Sequence, residues 1–372
     1  MRIERHPLLS PSLGTQRELL SFHFGEAGRG QKVYLQASLH ADELPGMLVL
    51  HHLKHLLAQA EVRGEVLGEV VIVPVANPIG LAQTVMHDQF GRFDLNSGEN
   101  FNRRYPDFFA AIADGIATKL GADAEANKHV IRAAMVDVVV HQPVQTELDS
   151  LRRTLLRLAV DADVALDLHC DNEALLHIYT EAPYLEQATP MYRYLGAETV
   201  LLARGSGAAS FDEALSGVWW QLAERFGPQY PIPLACLTAT VELRGKTDVG
   251  HESALRDAAN LYAFLQHRGV LAGAVPAMPE ACCEPTPLAG SETLRAPCAG
   301  VIAYLKRLGE HIQAGEVVAE IIDPMTDKVT EVKATVEGRL FARANRRYAT
   351  RGLDLGKVAG KVAFRTGNLL GA

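Results

Sequence analysis

The chain has 372 residues, of which 48% are hydrophobic, and a formal net charge of -8, so we expect two or three domains with a substantial core. The negative charge and the scattered arginines argue against nucleic acid as a partner. The five cysteines fit a reducing compartment better than a disulfide framework. Since no apolar run could span a bilayer and the N-terminal segment lacks a signal-peptide core, we expect a cytoplasmic protein with no membrane partner.

Strands and helices are predicted to alternate over the first 270 residues or so. Strands are predicted at 32–39, 69–77, 163–169, 174–180, 199–203 and 236–244, with an edge strand within 15–25. Helices are predicted over 46–60, about 126–160 and 251–269. This alternation is typical of an α/β domain with a mostly parallel, twisted central sheet flanked by helices.

The character of the sequence changes near residue 271. The segment 271–292 is rich in Ala and Pro, which predicts a linker between a catalytic domain over 1–270 and a second domain over 293–372. The second domain contains short β segments in two similar halves, which predicts a small all-β module.

Two predicted strands are followed by potential metal ligands. His40-x-x-Glu43 comes at the carboxyl end of the strand 32–39, where ligands bind in open α/β sheets. His169 ends another apolar strand, and Asp167 on the same strand face could fix its tautomer. The alternatives are an acidic first turn of a helix for Glu43 and a hydrogen-bonded core histidine for His169.

A third carboxylate, Glu242, interrupts the apolar strand 236–244. A carboxylate in such a run is costly unless it is paired or functional. It could pair with Arg244, its neighbour on the same strand face. Alternatively, two imidazoles, one carboxylate and an open water position are typical of a catalytic zinc, and a further carboxylate would take a proton from the attacking water.

The order of these motifs points to a known family. His40-x-x-Glu43, "NFNRR" (100–104), "DLH" (167–169) and "VEL" (241–243) occur in an order that resembles the succinylglutamate desuccinylase/aspartoacylase family of the zinc-carboxypeptidase superfamily. The resemblance covers about residues 30–270 and implies a zinc-carboxypeptidase-like fold.

The same resemblance implies roles for individual residues. His40, Glu43 and His169 would hold one Zn²⁺ per chain, and Glu242 would be the general base and later the proton donor. The family's substrate-binding pair falls on Asn102 and Arg103, and a guanidinium suits bidentate contact with a substrate carboxylate.

Two further positions follow from this comparison. Arg92 is a candidate for polarising the scissile carbonyl. Asn100 stands where the family carries Asp in a D-x-N-R pattern, and we expect this change to affect substrate contacts rather than the metal.

The C-terminal segment, over about 293–365, resembles a biotinyl/lipoyl-like barrel-sandwich module. Its "TDK" (326–328) is similar to a lipoyl attachment sequence, but the surrounding offsets do not fit a lysine at a hairpin tip. We therefore expect an unmodified, degenerate module that packs near the mouth of the active site. The alternative is covalent modification of Lys328.

Taken together, the sequence predicts a zinc-dependent amidohydrolase that releases the acyl group of an N-acyl amino acid or similar small carboxylate. A metallocarboxypeptidase acting on small peptides is an alternative within the same kind of site. A non-catalytic metal-binding or carrier protein is a second alternative. The sequence leaves open whether the chain forms a homo-oligomer.

Overall fold

A computed structural model describes residues 1–371 of the chain. Its helices are α1 (Pro45–Val62), α2 (Pro78–Leu81), α3 (Phe108–Ile116), α4 (Ala124–His141), α5 (Glu147–Ala159), α6 (Leu185–Leu195), α7 (Phe211–Phe226) and α8 (His251–His267). The strands of the first part are β1 (Arg2–Pro7), β2 (Glu18–Gly25), β3 (Lys32–Ala37), β4 (Glu69–Val73), β5 (Thr84–Val85), β6 (Asp88–Gln89), β7 (Val164–Asp171), β8 (Glu173–Ala174), β9 (Leu176–Glu181), β10 (Thr199–Ala203), β11 (Leu237–Gly245) and β12 (Thr286–Pro287). The remaining strands are β13 (Ser291–Arg295), β14 (Gly300–Tyr304), β15 (His311–Ile312), β16 (Val317–Asp323), β17 (Lys328–Lys333), β18 (Gly338–Arg343), β19 (Tyr348–Ala349) and β20 (Asp354–Gly360).

A nine-stranded sheet in the order β1-β2-β4-β3-β7-β11-β9-β10-β12 forms the centre of the first part. Its middle strands β4, β3, β7 and β11 run parallel, whereas β1, β2 and β9 introduce antiparallel pairs. All five residues of β4 are buried, as expected for a strand covered on both faces. The predicted α/β class with a mostly parallel central sheet is therefore confirmed.

Helices cover both faces of this sheet. On one face α1, α6 and α8 pack their apolar side chains against residues such as Leu35 and Leu166. On the other face α3, α4, α5 and α7 pack around Tyr34, Val71 and Trp219. No helix in residues 1–371 is long and apolar enough to cross a membrane.

The helical segment predicted over about 126–160 is two helices, α4 and α5. Pro143 lies in the connection, and the residue before a proline is disfavoured in helical conformation. Thr146 then starts α5 with a capping box, in which its side chain accepts from the Asp149 amide and the Asp149 carboxylate accepts from the Thr146 amide. The predicted single helix is therefore wrong at this point.

From β13 onward the described part of the chain is all-β. β13, β20, β18 and β15 form one antiparallel sheet, and β17, β16, β14 and β19 form another, with buried residues such as Ile302, Ile321 and Leu340 between them. Two strand pairs connect this region to the first part. β8 pairs with β18, and β12, which lies inside the predicted linker, pairs with β10. Independent domains over 1–270 and 293–372 stay a prediction.

Candidate active site

The three predicted metal ligands lie at the carboxyl ends of two adjacent parallel strands. β3 and β7 are hydrogen-bonded neighbours, so the loop that follows β3 brings His40 and Glu43 beside His169 of β7. Gly91 packs against this loop, and a Cβ there would lie 2.2 Å from the backbone nitrogen of Asp42. The absence of a side chain at Gly91 therefore lets the segment carrying Arg92 approach the site.

Glu43 lies between the two imidazoles. Its Oε1 is 3.2 Å from His40 Nδ1, and its Oε2 is 2.7 Å from His169 Nδ1. All three side chains are buried, and their ligand atoms lie within 4.8 Å of one another. The two nitrogens and the carboxylate thus converge on one point.

Each of these side chains is oriented by a further partner. The Nε2 atoms of the two histidines are 2.8 Å from Asn100 Oδ1 and from Asp167 Oδ2, respectively. An Nε2–H facing these oxygens would leave both Nδ1 atoms, on the Glu43 side, as the positions that could hold a metal ion. The Cys170 amide donates to Glu43 Oε2 at 3.2 Å and fixes the carboxylate.

The contact of Asn100 corrects one expectation from the sequence. We expected the exchange of Asp for Asn at this position to affect substrate contacts rather than the metal. Instead the Asn100 side chain accepts from His40, and it therefore acts on a candidate metal ligand. Asp167, in contrast, contacts His169 as the strand pattern predicted.

The electrostatics of the site keep His40 neutral and Glu43 ionised, which are the states in which these groups can bind a metal ion. Burial and the Arg92 guanidinium lower the pKa of His40 to about 4. Burial opposes a charge on Glu43, but His40 and His169 outweigh it and hold the Glu43 pKa well below its ordinary value. Burial likewise opposes a charge on His169, yet Asp167 and Glu43 raise its pKa well above the ordinary value.

These observations test whether the residues fit a metal ion. Glu43 is a buried carboxylate that needs a cation beside it, and a divalent ion held by His40, Glu43 and His169 would supply that charge. Two imidazole nitrogens and a carboxylate oxygen are a donor set of catalytic zinc sites, which keep a fourth position open. The residues fit zinc.

Glu242 lies next to this donor set on β11, where its Cα pairs in register with that of His169. Its side chain lines the cavity described below, and within residues 1–371 its buried Oε2 has no hydrogen-bond partner. Burial, followed by the charge of Glu43, raises the pKa of Glu242 to about 8. A carboxyl group with such a pKa can both accept and return a proton near neutral pH.

The alternative pairing of Glu242 with Arg244 is wrong. The register of β11 shifts after Glu242, and Arg244 adopts a positive φ of 67°, which turns its side chain away from the face that carries Glu242. Its guanidinium instead pairs with Asp257 of α8. An irregularity of this kind breaks the simple alternation from which the sequence prediction was made.

The predicted substrate-side residues lie around the same opening. Arg92 Nη1 is 3.2 Å from His40 Nδ1 and 3.5 Å from Glu43 Oε1. Asn102 accepts from the Phe211 amide at 2.9 Å and thereby also holds the start of α7. Arg103 donates to the carbonyl oxygens of Asn102 and Gly371, so the C-terminal segment reaches the predicted carboxylate anchor.

A cavity of about 390 Å³ extends from the donor set. One part of its wall comes from the all-β region and the segment after it, including Thr293, Lys357 and Leu369. Lys357 Nζ is 2.7 Å from Asp171 Oδ2, a contact between positions 186 residues apart. The sequence carried no signal for Lys357, because nothing local distinguishes it from an exposed lysine.

Comparison with known proteins agrees with this geometry. Residues 29–131 match the sequence model of the succinylglutamate desuccinylase/aspartoacylase catalytic domain. A structure assigned to the same family, from Shewanella amazonensis, has a TM-score of 0.85 and 26% identity and covers 97% of this chain and 99% of its own. Another, from Shewanella frigidimarina, has a TM-score of 0.84 and 25% identity, with coverage of 96% and 97%. A succinylglutamate desuccinylase/aspartoacylase from Rhodobacter sphaeroides shares the fold, with a TM-score of 0.65, 18% identity and coverage of 97% and 96%.

No curated protein matches the chain. The segment matched by sequence contains His40, Glu43, Asn102 and Arg103, and the two Shewanella structures extend over nearly the whole chain, including the all-β region. The order of motifs and the fold thus lead to the same group of proteins. Residues 29–131 thus match the succinylglutamate desuccinylase/aspartoacylase catalytic domain, and the chain as a whole is similar in fold to structures assigned to that family.

Proposed function

We propose that the protein is a zinc-dependent deacylase that hydrolyses the amide bond of an N-acyl amino acid or a similar small carboxylate. The observation that carries this proposal is the position of Glu242. It is a buried carboxylate with an unpartnered oxygen, in register with His169 and facing a cavity beside the donor set. The similarity to the succinylglutamate desuccinylase/aspartoacylase family supports amide hydrolysis as the class of reaction.

His40, Glu43 and His169 would hold the zinc ion, which lowers the pKa of water and polarises a carbonyl group when bound. Glu242 accepts the proton of the attacking water and later gives it to the leaving amine. Its raised pKa suits both transfers, because an efficient acid–base group titrates near the working pH.

The remaining predicted residues orient the substrate. Arg103 lines the cavity and would bind a substrate carboxylate through its planar guanidinium. Asn102, held by the start of α7, would fix that anchor beside the donor set. Arg92, next to His40, would donate to the carbonyl oxygen as negative charge develops on it.

The cavity alone does not separate an N-acyl amino acid from a dipeptide, because the two are similar in size. Residues of the all-β region and the segment after it form one part of the cavity wall. The metallocarboxypeptidase alternative predicts faster cleavage of dipeptides than of N-acyl amino acids. Assaying both classes of substrate on the same preparation of the protein distinguishes the two activities.

The substitution Glu242→Gln tests the mechanism. Gln is nearly isosteric but cannot accept a proton at neutral pH, so kcat should fall on the order of 10²–10⁴-fold while the zinc content stays at one per chain. Zinc is measured by elemental analysis and kcat by release of the free amino acid. Near-normal kcat with full zinc would remove Glu242 from the mechanism.

A further inference from the structure

A group of carboxylates lies in the cavity away from the metal ligands. Glu181 is the last residue of β9, and Asp212 and Glu213 lie in the first turn of α7. All three line the cavity, and we call them the acidic subsite. Their hydrogen-bond donors are neutral: the Trp220 indole, the Ser210 and Thr240 hydroxyls and the Ser206 amide.

Glu181 is the most informative member of the acidic subsite. It is only 4% exposed, and its Oε1 accepts from Trp220 Nε1 at 2.9 Å. Across the part of the chain that the structure describes, its buried Oε2 has no hydrogen-bond partner of good geometry, and the Ser216 hydroxyl is the neighbouring polar group that acts on the carboxylate. Because a buried carboxylate oxygen without a donor is costly, the group is arranged for a donor that comes from outside the chain.

Three basic side chains near the acidic subsite form salt bridges with other carboxylates. Lys246 pairs with Asp42, and Lys357 pairs with Asp171. Arg204 lies over the Trp220 ring and pairs with Glu224. In residues 1–371 no lysine or arginine forms a salt bridge with the acidic subsite, and the charge of Arg103 acts on Asp212 and Glu213 only from a longer distance.

Glu181 of the acidic subsite and Glu242, the proposed general base, lie on the same face of the sheet. Glu242 pairs in register with His177 of β9, and Glu181 comes four residues later on the same strand. Since side chains alternate with a period of two, both face the cavity, about 13 Å apart along the strand at roughly 3.3 Å per residue. A bound molecule must therefore extend well beyond the scissile amide to reach Glu181.

Arg103 belongs to the same neighbourhood, because the charges of Asp212 and Glu213 act on its guanidinium. Arg103 can therefore bind a carboxylate group of a ligand, and the neighbouring acidic subsite can bind a positively charged group of the same ligand. An amino acid with a long basic side chain carries this pair of charges, with the carboxylate near the amide and the ammonium group several atoms away.

We propose that the acidic subsite binds the cationic side chain of the substrate's amino-acid moiety, so that the preferred substrates are Nα-acyl derivatives of a basic amino acid such as lysine or ornithine. This inference rests on the proposed deacylase function and names its substrate class. N-acyl derivatives of glutamate or aspartate, which carry a second carboxylate, would be repelled by the acidic subsite.

The first test compares substrates of matched length on the zinc-loaded protein. Nα-acetyl-lysine should have a higher kcat/KM than Nα-acetyl-norleucine, by roughly 10- to 100-fold for a hydrogen-bonded charge pair, and Nα-acetylglutamate should be the poorest. Glu181→Gln and, separately, Glu213→Gln should reduce the lysine-to-norleucine ratio by at least about 10-fold. Glu224→Gln, on the same helix but outside the cavity, should keep the ratio of the unmodified protein.

The second test measures binding without catalysis. Calorimetry at pH 8, above the pKa of about 7 to which burial raises Glu181, compares L-lysine with L-norleucine on the metal-free protein. Lysine should bind at least about 10-fold more tightly, and Glu181→Gln should remove the difference. Equal binding of the two amino acids, or a ratio unchanged by both substitutions, would overturn the acidic subsite.

The two tests separate this inference from the proposed function. Hydrolysis of N-acetyl amino acids without any preference for lysine would support the deacylase and reject the acidic subsite. Selective lysine binding without hydrolysis of any N-acyl amino acid would support the acidic subsite and reject the deacylase.

Discussion

The candidate metal-binding end of the cavity and its outer wall, which comes from the all-β region and the segment after it, are built in different ways. At the metal-binding end, His40, Glu43 and His169 follow or belong to adjacent strands of one sheet, and each is held by a buried partner. The outer wall is assembled across the chain, as in the contact of Lys357 with Asp171. The candidate ligands are therefore encoded in short motifs, whereas the shape of the cavity depends on how distant segments pack.

The largest expected effect tests the metal-binding end. His169→Ala removes one of three converging ligands and leaves Glu43 with a single imidazole partner, so the protein should lose most of its zinc and its hydrolytic activity. Elemental analysis and the amino-acid release assay measure the two losses. His267→Ala, at the C-terminal end of α8 and away from the cavity, is the matched control. Full zinc occupancy in His169→Ala would reject the site.

A smaller effect is expected from the partner behind that ligand. Asp167→Asn keeps an acceptor for His169 Nε2 but removes the charge that helps raise the His169 pKa. Outer partners of this kind contribute about 10- to 100-fold in metal affinity, and a chelator competition should show a loss of that size. An unchanged affinity would mean that Asp167 only fills space beneath the site.

The difference between local motifs and the packing of distant segments explains which parts of the site could be predicted from the sequence. Ligands at strand ends were found because they combine an apolar strand with a local His or Glu pattern, and Asp167 was found from the strand alternation. The Arg244 alternative failed because a shift in β11 breaks that alternation. Lys357 and Glu181 gave no signal, since their environment comes from chain segments far away in sequence. The helices α3, α6 and α7 were also missed, and in α6 the proline at position 190 argues against a helix interior.

Removing the Lys357–Asp171 ion pair of the outer wall should have a moderate effect on the free energy of unfolding. Lys357→Met leaves Asp171 without its cation, at a cost of about 1–2 kcal/mol, less than for a fully buried pair because the Lys357 side chain is 36% exposed. Lys361→Met, which removes a pair that is 73% and 83% exposed, should change the free energy of unfolding very little. Urea unfolding of both variants measures the difference.

The pH dependence of that effect has a definite sign. Burial opposes a charge on Asp171, but Lys357 outweighs it and lowers the Asp171 pKa. A carboxyl group whose pKa is lowered on folding contributes stability above its unfolded pKa, and this contribution is lost as the pH falls through the folded value. The gap between the Lys357→Met variant and the unmodified protein should therefore narrow under acid conditions. A gap that is constant down to low pH would argue for lost packing instead of a lost ion pair.

The smallest expected effect concerns Lys328, and it is no effect at all. Lys328 is the first residue of β17 and pairs in register with Asp323 of β16, so it lies beside the turn and not at its tip. Asp323 closes that turn by accepting from the Met325 amide and the Thr326 hydroxyl. Because the lysine that carries biotin or lipoate must be presented at a hairpin tip, we expect the purified chain to have its unmodified mass. Lys328→Arg should then leave kcat and zinc content unchanged. An added biotinyl or lipoyl mass that disappears in this variant would instead make the all-β region a working carrier module.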